Sequence, residues 1–61
     1  MQFQLKIDCD NAAFEYDPVP ETARILRALA HRLEHGDSFD KFRTVFDING
    51  NDVGRAAFIQ G

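Results

Sequence analysis

Carboxylates are the most concentrated reactive groups in this sequence. Four of them lie within ten residues near the start of the chain, namely Asp8, Asp10, Glu15 and Asp17. Such a group could bind a divalent cation, and a pair of carboxylates can act as general acid and base when burial raises the pKa of one of them. None of the four lies in an apolar run, so we interpret them as solvated loop charges. The sequence therefore predicts neither a metal site nor a catalytic pair in this segment.

A second oxygen-rich segment, residues 47–52, reads Asp-Ile-Asn-Gly-Asn-Asp and resembles the start of an EF-hand calcium loop. An EF-hand requires glycine at its sixth position and glutamate at its twelfth, where this chain has Asp52 and Phe58. The dipeptide Asn49-Gly50 is instead typical of a type I′ hairpin turn, in which both residues have positive φ. We therefore predict a hairpin here, with Asp47 and Asp52 facing each other across it.

The histidines and the cysteine are the other residues that could do chemistry. His31 and His35 have the spacing that lets two imidazoles share a metal ion, but the HExxH arrangement and a third ligand are absent, so we interpret them as surface residues. Cys9 is the only cysteine, which excludes an intrachain disulfide and a cysteine-based zinc site and indicates a reducing setting. We expect it to be a small, buried or half-buried apolar residue. Because no nucleophile, base and orienting group occur together, we predict a protein that is not an enzyme and has no cofactor.

The elements that must position these residues begin with a strand over residues 1–9, where apolar and polar side chains alternate. Residues 10–20 have the composition of a loop, which we expect Phe14 and Tyr16 to pin against the core.

A helix is predicted to begin at Pro20, because proline suits the first helical turn, and to end just before Gly36. Its core-facing stripe is predicted to consist of Ile25, Leu26, Leu29 and Leu33, with Thr22 and Ala30 at its margins.

A hairpin is predicted to complete the chain. Residues 42–48 alternate as a second strand, and the Asn-Gly turn folds the chain back into a third strand over residues 52–59. This folding would place Phe46 opposite Val53, Thr44 opposite Arg55 and Phe42 opposite Ala57. The sheet face that meets the helix is then predicted to carry Phe3, Leu5, Ile7, Phe42 and Phe46.

The order of these elements predicts one α+β domain over residues 1–61: a β-α-β-β fold in which a single helix packs on one face of a three-stranded, mostly antiparallel sheet. Two strand orders are compatible with it. Either the third strand lies in the centre of an antiparallel sheet, or the first two strands pair in parallel through a right-handed crossover. The polar face of the first strand favours the antiparallel sheet.

Composition and charge limit the classes of partner. The chain has 61 residues, of which 44% are hydrophobic, and a net charge of −3. It has enough apolar residues for a core and no run long enough to span a bilayer, and its net negative charge disfavours attraction to nucleic acid or to an anionic membrane. We therefore expect a cytoplasmic protein that binds another protein and contacts neither nucleic acid nor membrane.

The charges are unevenly distributed, which favours binding through a polarised surface. The helix carries a mildly basic stripe, whereas the loops carry most of the aspartates. The residues predicted to contact a partner are Asp8, Asp10, Glu15, Tyr16, Asp17, Arg24, Arg27 and His31.

Three segments resemble a family of very small proteins encoded by bacteriophages and prophages: residues 7–14 (Ile-Asp-Cys-Asp-Asn-Ala-Ala-Phe), residues 23–27 (Ala-Arg-Ile-Leu-Arg) and residues 47–54 (Asp-Ile-Asn-Gly-Asn-Asp-Val-Gly). Proteins similar to this chain include anti-CRISPR inhibitors of type I systems. The resemblance implies an inhibitor that binds a type I CRISPR effector complex in the bacterial host cell and blocks recognition of target DNA. The alternative is a homodimeric phage accessory or regulatory protein, whose interface would be the uncovered sheet face with Val45 and Phe58.

Overall fold

A computed structural model describes all 61 residues as a three-stranded sheet with one helix packed on one of its faces. Its elements are, in chain order, β1 (Gln2–Ile7), a short 3-10 turn (Ala12–Phe14), α1 (Pro18–Glu34), β2 (Arg43–Phe46) and β3 (Asp52–Ile59). β3 lies in the centre and pairs antiparallel with both β1 and β2. The predicted β-α-β-β fold with an antiparallel sheet is therefore confirmed, and the parallel pairing of the first two strands is excluded.

α1 begins two residues earlier than the sequence predicted. The side chain of Asp17 accepts a hydrogen bond from the backbone N–H of Val19 at 3.0 Å, which caps the helix, and Pro18 occupies the first helical position. The end of the helix is as predicted, because Gly36 has a φ of 85° and supplies the left-handed residue that stops it. No helix of the structure combines the length and the apolar character that crossing a membrane requires.

Only half of the predicted helix stripe is buried. Ile25 and Leu29 pack in the core, whereas Leu26 is 48% exposed and Leu33 is 37% exposed. The first loop is likewise divided, because Phe14 is buried in the core while Tyr16 is fully exposed. The apolar surface that the sequence assigned to the core is therefore partly on the outside of the molecule.

β2 presents the opposite face from the one predicted. Phe42 and Phe46 are each 54% exposed, and Val45, which was predicted on the uncovered face, is 2% exposed and belongs to the core. The reason is Phe39, in the loop before β2. The backbone carbonyl of Phe39 accepts a hydrogen bond from the N–H of Phe58 at 2.8 Å, which draws this loop against β3 and places the Phe39 ring in the core. That volume is no longer available to Phe42 or Phe46.

The register of the β2–β3 pair contains one irregularity, at Val53. Val45 lies opposite Gly54 and Phe46 lies opposite Asp52, so Val53 has no partner on β2. A bulge of this kind shifts the alternation of side chains, and it allows Val53 and Ala56, three residues apart, to join the same core cluster. The predicted pairing of Thr44 with Arg55 is confirmed, whereas that of Phe46 with Val53 is wrong.

The hairpin turn also differs from the predicted type I′ turn. The backbone N–H of Gly50 donates to the carbonyl of Asp47 at 3.1 Å, and that of Asp47 donates to the carbonyl of Asn51 at 3.0 Å. Gly50 has a φ of 82°, but no residue other than glycine has positive φ, so Asn49 does not adopt the predicted conformation. A hydrogen-bonded turn whose central residues both have negative φ is a type I turn, and here Gly50 follows it in the left-handed conformation.

Replacing Phe39 separates the observed core from the predicted one. We expect Phe39→Ala to lower the free energy of unfolding by about 3–5 kcal/mol, because it removes a buried ring, and Phe42→Ala to lower it by less than about 1 kcal/mol. Chemical denaturation of both variants measures this difference. Equal losses, or a larger loss in Phe42→Ala, would contradict the arrangement of β2 described above.

Gly54 marks a close approach of the β1 and β3 backbones. A Cβ atom at this position would collide with the backbone carbonyl of Lys6. We therefore expect Gly54→Ala to destabilise the fold by about 1–3 kcal/mol, since two paired strands must move apart. Gly61→Ala is the matched control, because a Cβ there meets no atom within 4 Å. Thermal unfolding of the two variants checks the expectation, and equal midpoints would contradict it.

Candidate functional site

The best-defined polar site is a network of hydrogen bonds at which three segments of the chain meet. It joins Asn11 in the first loop, Glu21 and Arg24 in the first turns of α1, and Asp47 in the hairpin turn. Both carboxylates are buried, with 8% of Glu21 and 4% of Asp47 exposed. Charged side chains are almost never this buried unless they are paired, so their partners decide what the site can do.

Asp47 is surrounded by hydrogen-bond donors. Its Oδ1 accepts the backbone N–H groups of Asn49 and Asn51 at 2.8 and 2.9 Å. Its Oδ2 accepts the side-chain amides of Asn11 and Asn51 at 2.8 and 3.2 Å. Burial alone would raise the pKa of Asp47, but these hydrogen bonds together outweigh burial and hold the pKa below its ordinary value. Asp47 is therefore charged at neutral pH and shapes the turn that follows it.

Glu21 is the second anchor of the network. The guanidinium of Arg24 donates to its two oxygens at 2.7 and 2.9 Å, and the backbone N–H of Ile48 donates to Oε2 at 2.8 Å. The hydrogen bonds from Arg24 are the main reason that the pKa of Glu21 is lowered, against the opposing effect of burial. The same contact raises the pKa of Arg24. The network thus fixes the hairpin turn against the first turns of the helix.

The orientation of the Asn11 amide follows from Asp47. A carboxylate only accepts hydrogen bonds, so Nδ2 must face it, and Oδ1 is left buried without a hydrogen-bond partner. The unpaired Oδ1 is an energetic cost at Asn11 alone. The hydrogen bond from Nδ2 to Asp47 ties the first loop to the hairpin.

The network presents two apolar side chains to solvent. Phe46 is 54% exposed and Ile48 is 67% exposed, and both flank the buried Asp47. Arg24 lies beside them, because its Nη2 also approaches the backbone carbonyl of Phe46 at 3.5 Å. We call Phe46, Ile48 and Arg24 the hairpin surface. It combines an aromatic ring, an aliphatic chain and a guanidinium, and aromatic and arginine side chains are enriched among the residues that contribute most at protein interfaces.

The structure places the predicted loop residues at the surface. Asp8, Asp10 and Glu15 are exposed, as is Tyr16, and the Asp17 side chain is used as the helix cap. The bond from Asn11 to Asp47 holds this loop to the hairpin turn, although the two are 36 residues apart in sequence.

The predicted helix residues fall into two groups. Arg24 belongs to the buried network, whereas Arg27 and His31 are exposed. The rings of His31 and His35 lie against each other with centroids 3.9 Å apart, and His35 Nδ1 is 2.8 Å from the backbone carbonyl of His31. Nowhere in the structure do three or more His, Cys, Asp or Glu side chains form a group that could hold a metal ion.

Two further expectations are wrong. Cys9 is exposed rather than buried or half-buried. Asp47 does not face Asp52 across the hairpin, because Asp52 pairs with Phe46 and Asp47 turns inward. The sequence did contain a signal for this inward turn. An aspartate followed two residues later by another turn-forming residue is typical of an Asx turn, in which the carboxylate accepts the backbone N–H of that residue.

Comparison of the chain with protein-family models, with curated proteins and with solved structures finds no match. The site must therefore be interpreted from its own chemistry.

The two lowered pKa values predict how stability depends on pH. Because Glu21 and Asp47 favour the charged form in the folded state, their contribution is complete above their unfolded pKa values of about 4 and is lost as the pH falls through the folded values. We expect Asp47→Asn to be less stable than the unmodified chain at pH 7. The difference between them should shrink below about pH 4, where Asp47 takes up a proton in the unfolded chain while it still resists protonation in the folded one. Asp10→Asn, at an exposed carboxylate, is the control. Denaturation between pH 7 and pH 2 measures both, and a difference that does not change with pH would contradict this role of Asp47.

Proposed function

We propose that this chain acts by binding another protein through the hairpin surface, and that it is not an enzyme. The observation that carries the proposal is the exposure of Phe46 and Ile48 on a turn whose backbone is fixed by buried carboxylates. In most small domains such side chains would be in the core. Here the hydrogen bonds of Asp47 and Glu21 hold the backbone at Ile48, Asn49 and Asn51, and the side chains of Phe46 and Ile48 are exposed.

The rigidity of this turn favours binding. A surface that is ordered before a partner arrives loses less conformational entropy on association. Aromatic and arginine side chains also contribute most of the energy at typical interfaces, and the ion pair with Glu21 fixes the position of Arg24.

The charge of the surrounding surface favours a partner with a basic surface. The net charge is −3, and the exposed carboxylates Asp8, Asp10 and Glu15 lie on the loop that Asn11 ties to the hairpin. Carboxylates placed around an apolar contact accelerate the encounter with a basic partner and make the association sensitive to salt.

We further propose that the partner is a type I CRISPR effector complex and that binding blocks recognition of target DNA in the bacterial cytoplasm. Two observations support this identity: the resemblance of residues 7–14, 23–27 and 47–54 to small phage proteins, and the acidic surface. Complexes that bind nucleic acid present basic surfaces to the phosphate backbone, and an acidic protein can occupy such a surface.

The test uses purified type I effector complexes loaded with their guide RNA. We expect the chain to bind one of them and to abolish its binding of target DNA in a gel-shift assay. Phe46→Ala is expected to weaken the inhibition by about tenfold or more, as for an aromatic residue at the centre of an interface. Phe42→Ala is the matched control, because Phe42 has the same exposed fraction of 54% but lies outside the hairpin surface.

The carboxylates have a separate expected effect. Changing Asp8, Asp10 and Glu15 together to their amides should slow association and reduce its dependence on salt. If no type I complex binds, or if a bound complex still recognises its target DNA, the proposed partner is wrong. If Phe42→Ala and Phe46→Ala weaken inhibition equally, the proposed surface is wrong.

A further inference from the structure

We propose that two copies of this chain pair antiparallel through an apolar stripe on the outer side of α1. The stripe, which we call the α1 seam, consists of Val19, Ala23, Leu26, Ala30 and Leu33. This inference goes beyond the proposed function, because it concerns a different surface and a different partner.

The residues of the seam other than Ala23, which is half-buried, are available for such a contact. Val19 is 67% exposed, Leu26 is 48% exposed and Leu33 is 37% exposed, and Ala30 is exposed between the two leucines. With about 100° of rotation per residue, the seam is centred roughly 120° around the helix from the core residue Ile25. The sheet of the same chain therefore cannot cover it.

The spacing within the seam is that of a two-helix interface. Its members follow one another at intervals of four, three, four and three residues. Apolar residues with this alternation form the contact line of paired helices, where side chains of one helix fit between those of the other. Alanine at every second position lets the two helix axes approach closely. The stripe runs from Val19 to Leu33, and the antiparallel contact uses its C-terminal half.

Charges on one edge of the seam make it complementary to itself in the antiparallel direction. Arg27 and Glu34 lie seven residues apart on this edge, and neither forms a salt bridge within its own chain. A two-fold axis near Ala30 would place Leu26 against Leu33 of the second copy and Arg27 beside Glu34 of the second copy. Because α1 ends at Glu34, the two helices then overlap over residues 26–34, and the apolar contact is made by Leu26, Ala30 and Leu33. The symmetry repeats each contact, so the dimer contains two such ion pairs. In a parallel pairing, Arg27 would instead lie beside Thr22 of the second copy, and neither ion pair would form.

The size of the domain adds a reason for self-association. Only 10 of 61 residues are buried, and domains near this length often rely on a second subunit to bury enough apolar surface. The hairpin surface stays free in this dimer, because Arg24 lies on the opposite side of α1 from the seam. Self-association and the binding of another protein are therefore compatible, and each can fail without the other.

The experiment is sedimentation of the full chain over a range of concentrations. We expect a monomer–dimer equilibrium that Leu26→Gln disrupts. Arg27→Glu and Glu34→Arg should each weaken the homodimer by about tenfold or more, because two attractive contacts become repulsive. An equimolar mixture of these two variants should recover a dimer, since each charge then meets its opposite. Lys41→Glu makes the same change in net charge as Arg27→Glu at an exposed position outside the seam, and it should leave the dimer intact.

Circular dichroism of each variant separates loss of pairing from loss of folding. A chain that stays monomeric at all concentrations would overturn the proposal. A dimer that is unaffected by Leu26→Gln would also overturn it, as would a dimer that Lys41→Glu weakens as much as Arg27→Glu does. A mixture of the two charge variants that remains monomeric would overturn it as well.

Discussion

The buried carboxylate of Asp47 is the interaction on which the rest of the surface depends. An aspartate can remain charged with 4% of its surface exposed only if donors replace the water it has lost, and here the donors come from the hairpin turn and from Asn11 in the first loop. The hydrogen bonds to Asp47 fix the shape of the turn and hold the first loop beside it. Glu21 acts in the same way from the helix, through the backbone N–H of Ile48. Electrostatics thus sets the positions of segments that a small apolar core could not fix by packing alone.

This arrangement explains why large apolar residues lie outside the core. The space between helix and sheet is filled by a few residues, among them Phe14, Phe39 and Leu29. Because Asp47 turns inward just after β2, Phe46 at the end of the strand turns outward, in line with the alternation of an extended chain, and Ile48 is exposed in the turn. The exposure of Phe46 therefore has two causes, the Phe39 ring that fills the core and the buried Asp47 next to Phe46. These exposed side chains are available to the protein partner that we propose.

The parts of the fold that could be predicted are those in which one residue type or one period dominates. β1 alternates cleanly, β3 has the predicted bounds, and Gly36 ends the helix. β2 could not be predicted because both of its faces carry apolar residues, so alternation does not say which face is inside. Phe39 determines which face of β2 is buried, but it lies in a short loop where periodicity gives no signal. The network around Asp47 was missed for a related reason. Its members come from three separate segments, and spacing within one segment cannot reveal contacts between segments.

The helix shows how a single element can serve three surfaces. Around its circumference, Ile25 and Leu29 face the sheet, Arg24 supports the hairpin surface, and Leu26 with Leu33 forms the exposed seam. A helix that only stabilised the core would need one apolar stripe, with polar residues over the rest of its surface. The second stripe has no role within the chain, and its exposure carries a cost in solubility. Its regular spacing and the opposite charges along its edge are the features of a surface that another helix covers, and the two-fold complementarity of those charges makes the helix of a second copy the partner that fits.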